Sequence, residues 1–316
     1  MWLLLFTWLV PAAISSTWAN TTFLKTFGDA LLHTFIRFCG SAIIGSITLF
    51  VTGEVRSLKE VCSVVARLAL PATLLWIANY SNSLALSHCG VTLTYVVKSC
   101  IPVFTVIICT LQGKRFPVAI YASLIPICGG VALASASDTN FSLIGLQCAL
   151  CSTISQTLLN LTVKSARTQY GYSGPKAFMG LTIFATILTL PLLLSPLFGF
   201  YENQSLDILQ KAYSDLYAGT SWPATVIILG ALAYHFEYAL NFVVVGKLNS
   251  VTFSVGDIAR RIVIIIIGSF MFSKPLTAMN CMGIAVAVSG VLWYSYLDNY
   301  YSSKSSTVKV EEKKDK

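Results

Sequence analysis

Charge is scarce in this sequence of 316 residues: Asp, Glu, Lys and Arg together make up 11% of it, and the mean hydropathy is +0.73. A soluble domain of this size needs far more charge to cover its surface. Because 55% of the residues are hydrophobic, the composition excludes an ordinary soluble protein. It indicates a polytopic helical membrane protein instead.

The chain also lacks motifs for catalysis, metal binding and nucleic-acid binding. It contains no Walker loop, no H-E-x-x-H and no G-x-S-x-G, and its 3 histidines fall in different apolar segments. The 9 cysteines lie mostly in apolar runs without metal-ligand spacing, which is typical of small buried hydrophobic residues. The net charge of +8 comes from Lys and Arg scattered in ones and twos. We therefore expect no enzyme, metal, cofactor, nucleic-acid partner or ATP-driven pump.

Ten apolar windows, each long enough to cross a bilayer, recur along the chain. They cover roughly residues 2–20, 29–51, 62–84, 89–111, 117–135, 142–163, 177–197, 223–245, 250–272 and 277–297. An even number of spans places both termini on one side of the membrane. Most Lys and Arg outside the spans lie on the side of the C-terminus, so both termini are predicted to be cytosolic. We expect the first window to be a retained helix, not a cleaved signal peptide.

Two short signals concern processing and location. Asn203 lies in an N-x-S/T sequon in the longest loop, on the predicted non-cytosolic side, where it is either a glycosylation site or a chance match. Lys313 and Lys314 close the charged tail, as in a dilysine retrieval signal that a coat protein reads at the endoplasmic reticulum or Golgi. A plain solvated charge run is the alternative for this tail.

The chain contains a weak internal repeat. Shifting it by 160 residues aligns residues 91–94 with 251–254, Gly130 with Gly290, and Ser135 with Ser295. The repeat predicts two five-helix halves of opposite orientation, residues 1–136 and 137–297, followed by a cytosolic tail at 298–316. Such a 5+5 inverted repeat is typical of secondary transporters. We expect close helix packing at its glycines, which include Gly129, Gly130, Gly256 and Gly290.

Three basic residues lie where hydropathy should exclude them. Lys98 falls in the middle of the fourth span, and Arg260 and Arg261 fall in the middle of the ninth. A cation at that depth costs roughly 2.5–3.5 kcal/mol on insertion scales, so all three are expected to face water, partners or a ligand. Arg37 and Arg67 lie close to span ends, where we expect their side chains to reach the membrane interface.

Corresponding places in the two repeats would bring the three cations to one central cavity, where they match a phosphate. Asp257 and Glu237 allow an alternative, a buried ion-pair network without a ligand. His235 is either structural or part of the site, and Asn79 and Asn82 either line the cavity or join helices. The predicted cavity lining is Asn79, Asn82, Thr94, Tyr95, Tyr234, His235, Glu237, Tyr238 and Asp257.

Three segments carry a resemblance to a known family: Thr92–Phe104, Gly129–Ser135 and Ser250–Arg261. They resemble the triose-phosphate translocator branch of the nucleotide-sugar and drug/metabolite transporter superfamily. The resemblance implies a ten-helix antiporter that exchanges an organic phosphate for inorganic phosphate or a nucleoside monophosphate. It also implies that Lys98, Arg260 and Arg261 clamp the phosphate, with Arg260 in place of the family's lysine.

The sequence departs from that family around the substrate. The plastid members' His, Thr and Tyr contacts fall on Asn79, Asn82 and Glu237, and their sixth-helix Arg falls near Leu159. We therefore expect a nucleotide sugar or sugar phosphate as substrate, not a triose phosphate or phosphoenolpyruvate. The expected location is the endoplasmic reticulum or Golgi, with a plastid-type membrane as the alternative. An exporter of uncharged or cationic metabolites and a non-transporting membrane adaptor are the alternative functions.

Overall fold

The computed structural model describes residues 7–136, 141–195, 205–217, 222–247, 250–271 and 277–314, and their regular structure is helical. A π-helical turn at Trp8–Ala12 contains Pro11, whose missing N–H accounts for the widened turn. Twelve α-helices follow in the described residues: α1 Ala13–Phe27, α2 Ala30–Val51, α3 Leu58–Arg67, α4 Ala69–Lys98, α5 Ile101–Leu111, α6 Val118–Ala136, α7 Leu143–Tyr170, α8 Gly174–Leu194, α9 Ser205–Tyr217, α10 Trp222–Lys247, α11 Ser250–Met271 and α12 Ala278–Lys314.

Several of these helices are long and apolar enough to cross a membrane. Five qualify alone within the described residues, and they lie in α2, α6, α8, α10 and α12. Helices α3 and α4 qualify together as one span that bends by 70° at the break between them. The chain is thus an all-helical membrane protein, while the ten spans and their 5+5 arrangement stay a prediction.

The backbone of α4 is kinked between two segments that carry predicted site residues. Gly90 has φ 76° and ψ −175°, a conformation that a residue with a side chain rarely adopts. It lies at the start of the predicted fourth span, residues 89–111. The kink separates the segment with Asn79 and Asn82 from the segment that ends at Lys98.

The core forms where α2, α4, α7, α8 and α10 meet. One buried cluster joins Phe38, Leu68, Phe178 and Tyr234, with the Tyr234 side chain fully buried. Helix α7 packs along α4, where the Ser152 hydroxyl donates to the carbonyl oxygen of Ala78 over 2.7 Å. These contacts fix the face of α4 next to Asn79.

Helices α6 and α12 cross at their glycines. A Cβ added at Gly130 would lie 2.4 Å from the backbone nitrogen of Ala287, and one added at Gly290 would lie 2.8 Å from that of Ile127. Shifting the Gly130–Ala287 pair by 160 positions gives Gly290 and Ile127, so the contact is reciprocal under the shift that defines the repeat. The expected close packing is confirmed at Gly130 and Gly290. It is wrong for Gly129, which has open space beside it.

A further helix lies where the sequence predicts only a long loop. Helix α9 occupies residues 205–217, and the Ser205 hydroxyl at its start donates to Asp29 Oδ2 over 2.5 Å. The other carboxylate oxygen of Asp29 accepts from the backbone N–H groups of Leu31 and Leu32, which caps α2. One carboxylate therefore anchors α9 to the start of α2.

The two adjacent glycines of α6 provide a test of the crossing. Gly130→Ala is expected to lower the stability of the protein, because the helices must move apart and overpacking costs roughly 1–3 kcal/mol. Gly129→Ala is the matched control, since nothing lies within 4 Å of its Cβ position and the change gains about 1 kcal/mol of helix propensity. The measurement is the midpoint of thermal unfolding in detergent. Equal midpoints for the two variants would contradict the close crossing.

Candidate functional site

Asp257 binds both arginines of α11. Arg260 Nε and Nη2 donate to Asp257 Oδ1 over 3.3 and 2.9 Å, while Arg261 Nε and Nη2 donate to Oδ2 over 3.0 and 2.9 Å. The spacings of three and four residues place all three side chains on one face of the helix. Each carboxylate oxygen therefore holds one guanidinium.

Arg260 is also bound from a second helix. Its Nη1 donates to Glu237 Oε1 on α10, and the Glu237 residue is only 8% exposed. Arg260 thus pairs with two carboxylates and links α10 to α11. This ion-pair network is the alternative arrangement that the sequence allows, and it engages Arg260 most fully.

Lys98 differs from the two arginines because it has no carboxylate partner among the described residues. Its Nζ lies 5.4 Å from the centroid of the Tyr95 ring. Lys98 also lines one cavity together with Asp257 and Arg261. The structure therefore brings Lys98 into the same cluster as the arginine pair, as an ammonium group without an ion pair.

A cavity of about 210 Å³ opens beside this cluster, and Lys98, Asp257 and Arg261 line it. Arg261 Nη1 is buried and has no hydrogen-bond partner in the described part of the chain. Helices α4, α5, α7, α11 and α12 form the walls. Their other polar lining residues are Ser99, Thr105, Asn160, Tyr294 and Ser295.

This arrangement has a clear chemical consequence. Two cations, one from each predicted half of the chain, face a common cavity and retain N–H donors that no described acceptor uses. Such donors match an oxyanion, since a guanidinium and an ammonium together satisfy several oxygen atoms of a phosphate.

The aromatic residues predicted on α10 lie between that helix and α2. Tyr234 is buried, and the centroid of its ring lies 5.9 Å from that of the Phe38 ring and 4.4 Å from that of the Tyr238 ring. The His235 Nδ1 atom lies 2.9 Å from the Ser41 hydroxyl of α2. The structure therefore places His235 against α2, where its hydrogen-bond partner is Ser41 and not Glu237.

Three polar residues predicted on α4 are buried, namely Asn79, Asn82 and Thr94. The Thr94 hydroxyl donates to the carbonyl oxygen of Gly90 over 2.6 Å, within the helix. The Asn79 amide donates to the carbonyl oxygen of Leu75 over 2.9 Å. Asn82 is 4% exposed, and its amide oxygen has no hydrogen-bond partner among the described residues. Leu159 lies near the position that the resemblance matches to the family's sixth-helix arginine. It lies in the core, whereas the next residue, Asn160, lines the cavity.

The expected interfacial position of Arg37 is wrong. Arg37 is 4% exposed, its Nη2 donates to Asn79 Oδ1 over 3.2 Å, and its guanidinium carbon lies 4.2 Å from the centroid of the Tyr234 ring. It stands about two turns inside α2, and that depth is the signal that the sequence offered. Arg67, in contrast, is exposed at the end of α3, where its Nη1 donates to the Tyr172 hydroxyl over 3.4 Å.

Two of the sequence-based expectations cannot be placed. Asn203 lies outside the described residues, and only the helical backbone of Lys313 and Lys314 is described. The glycosylation and retrieval functions therefore stay predictions.

Comparison with known proteins places this site in a family context. The profile of the Triose-phosphate Transporter family matches residues 1–295. The chain is 31% identical over 229 residues to the chloroplastic xylulose 5-phosphate/phosphate translocator of Arabidopsis thaliana, covering 71% of this chain and 53% of that protein. It is 29% identical over 223 residues to the chloroplastic glucose-6-phosphate/phosphate translocator 1 of the same species, covering 69% and 55%.

A more distant match covers more of the chain. The chloroplastic phosphoenolpyruvate/phosphate translocator 1 of Oryza sativa subsp. japonica is 26% identical over 282 residues, 88% of this chain and 67% of that protein. The chain spans about half the length of the first two relatives. A solved structure titled only as the crystal structure of a protein matches with a TM-score of 0.51 and 15% identity, covering 93% of this chain and 95% of that one. This last likeness shows the fold alone.

The ion-pair network predicts a large effect of removing its central carboxylate. Asp257→Ala should lower the free energy of unfolding by about 3–5 kcal/mol, because it leaves two largely buried guanidinium groups with fewer acceptors. The exposed residue Asp207 of α9 supplies the control, since Asp207→Ala removes an acidic residue that has no ion pair among the described residues. Thermal unfolding in detergent compares the two. A midpoint for Asp257→Ala as high as that of the control would show that the network is not stabilising.

Proposed function

Because the chain belongs to the triose-phosphate transporter family, we propose that it is a secondary antiporter that exchanges an organic phosphate for inorganic phosphate or a nucleoside monophosphate by alternating access. The observation that supports this most is the cavity that Lys98 and Arg261 share. The printed names of the relatives describe exchange of phosphorylated metabolites for phosphate. They also favour a transporter over an enzyme.

The charge balance of the cluster favours an anionic ligand. Lys98, Arg260 and Arg261 carry three positive charges, and Asp257 and Glu237 neutralise two of them. The cluster therefore keeps a surplus of one positive charge, which is costly inside a membrane unless a ligand or water compensates it. A phosphomonoester carries about −1.5 to −2 charges at pH 7 and offers several acceptor oxygens.

The positions of the two clamp residues connect binding to the transport cycle. Lys98 belongs to the first predicted half of the chain and Arg261 to the second. A phosphate between them would draw the halves together, whereas in the empty carrier the surplus charge resists closure. A carrier that closes only when loaded performs exchange and not net transport.

The polar residues beside the clamp favour a sugar-containing substrate. Asn79 and Asn82 occupy positions that the resemblance assigns to substrate contact, and amides form hydrogen bonds with hydroxyl groups. Glu237 would repel a carboxylate that approached it. We therefore favour a sugar phosphate or a nucleotide sugar over phosphoenolpyruvate. Of these two, the sugar phosphate is the substrate class that the relatives' names also describe.

The membrane in which the carrier acts is also part of the proposal. The relatives named above are chloroplastic, which favours a plastid-type membrane. The endoplasmic reticulum or Golgi location and the coat-protein partner depend on Lys313 and Lys314 alone, and the relatives do not support them.

The ion pairs favour a second candidate function. If Asp257 and Glu237 serve only to neutralise the arginines, the cavity would admit uncharged or cationic metabolites. An anion loaded inside the vesicles separates the two candidates, because it stimulates uptake by a phosphate exchanger and leaves the uptake of an uncharged or cationic metabolite unchanged.

The clamp is tested by exchange of radiolabelled phosphate in liposomes loaded with phosphate. Lys98→Ala or Arg261→Ala should reduce the exchange rate by at least about tenfold, because each removes a charge-assisted hydrogen bond worth about 1.5–3 kcal/mol. Lys59→Ala, which removes an exposed lysine of α3, is the control and should exchange at the wild-type rate. Wild-type exchange by either clamp variant would reject the proposed function.

A further inference from the structure

Arg37 is a buried cation that the phosphate clamp does not use. It is 4% exposed, and no carboxylate pairs with it among the described residues. Its one hydrogen bond in the described structure goes to Asn79 Oδ1, and its Nε and Nη1 atoms are buried without a partner. A buried donor without an acceptor is unfavourable, and a charged one is more so. Such a group in a native membrane protein requires an explanation.

An acceptor on the helix that Arg37 contacts is also unsatisfied. Arg37 reaches α4 through its hydrogen bond with Asn79. Asn82 follows Asn79 by three residues, so both amides lie on one face of α4. The buried amide oxygen of Asn82 has no partner in the described residues. A group that both accepts and donates hydrogen bonds would satisfy the unused donors of Arg37 and this unused acceptor.

Arg37 is adjacent to the phosphate clamp. Its guanidinium carbon lies 4.2 Å from the centroid of the Tyr234 ring on α10, and Glu237 of the same helix pairs with Arg260. The Tyr95 ring lies below the Lys98 ammonium group. Arg37 thus borders the clamp from the side of α2.

We propose that Arg37 is a specificity-determining residue that, with Asn82, binds the sugar hydroxyl groups of the organic phosphate while Lys98 and Arg261 bind its phosphate. This proposal rests on the proposed function and extends it to the substrate class. A guanidinium only donates and an amide oxygen only accepts. A hydroxyl satisfies both, whereas phosphoenolpyruvate has no hydroxyl group to donate.

The charge of Arg37 also fits a phosphate dianion. Counting it with the clamp gives four cations against Asp257 and Glu237, which is a surplus of two positive charges. A dianion balances that surplus, so the loaded carrier would be electrically neutral in its interior. Binding of the phosphate and of the sugar would then depend on different residues of one connected cluster.

The test is a ratio of KM values for reconstituted carrier. Liposomes containing wild type or Arg37→Gln are assayed for exchange of phosphate with phosphate, and of phosphate with xylulose 5-phosphate or glucose 6-phosphate. Arg37→Gln should raise the ratio of the sugar-phosphate KM to the phosphate KM by about tenfold, since it removes charged hydrogen bonds to the sugar. Asn82→Ala should raise the same ratio by about threefold, as expected for a neutral hydrogen bond. Arg67→Gln, at an exposed arginine, is the matched control with an unchanged ratio.

Several outcomes would overturn this proposal. Variants that change both KM values by the same factor show a structural or purely electrostatic role of Arg37. An unchanged ratio in both variants, or a wild type that exchanges phosphate but neither sugar phosphate, rejects the hydroxyl subsite. If Arg37→Gln does not fold, Asn82→Ala decides the matter alone. Failure of the proposed function gives a different result. In that case Lys98→Ala would exchange phosphate at the wild-type rate, or the wild type would not exchange phosphate at all.

Discussion

The ion pairing of Asp257 with two neighbouring arginines is the interaction on which the rest of the site depends. Guanidinium groups cannot lose their charge, so a helix that carries two of them into a membrane needs counter-charges nearby. Asp257 supplies one from the same helix face, and Glu237 supplies a second from α10. The pairing is incomplete, because it leaves Arg261 Nη1 and the Lys98 ammonium group without carboxylate partners among the described residues. Those remaining donors are what the cavity presents.

The fold makes this incomplete pairing possible by joining two distant parts of the chain. Helix α4, which is kinked at Gly90, ends at Lys98, and α11 supplies the arginines from the other end of the sequence. Lys98 and Arg261 line the same cavity. The reciprocal contacts of Gly130 and Gly290 relate the last helices of the two predicted halves. A site between related halves lets one ligand contact both of them, which is the geometric requirement for alternating access.

That Lys98, Arg260 and Arg261 clamp a phosphate stays a prediction, although the structure places Lys98 and Arg261 on one cavity. The sequence predicted the helical membrane class from its scarcity of charge, and the family from three short motifs. It could not determine which donors remain unused, since Asp257 can hold one arginine or both and only the rotamers decide. It misplaced Arg37 because a long side chain about two turns inside a span can still be assumed to reach the interface, and only its contacts with Asn79 and Tyr234 show that it does not. It also could not separate Gly129 from Gly130, because neighbouring residues of a helix point about 100° apart and only the partner helix distinguishes them. Helix α9 was missed since its polar composition is typical of a loop.

Partial neutralisation is better suited to an exchanger than either extreme. If carboxylates neutralised every cation, the empty cavity could close, and nothing would couple outward to inward movement. If none were present, the cost of several buried cations would disfavour insertion of the helices themselves. Two carboxylates against four cations would allow the protein to fold and still leave a surplus of positive charge that one dianion would balance. Because that surplus is the same whichever ligand enters, the proposed clamp would accept phosphate and a phosphorylated sugar alike. Discrimination between them would then have to come from hydrogen bonds that only the sugar can form, and the unused donors of Arg37 and the unused amide oxygen of Asn82 are where the described structure offers them.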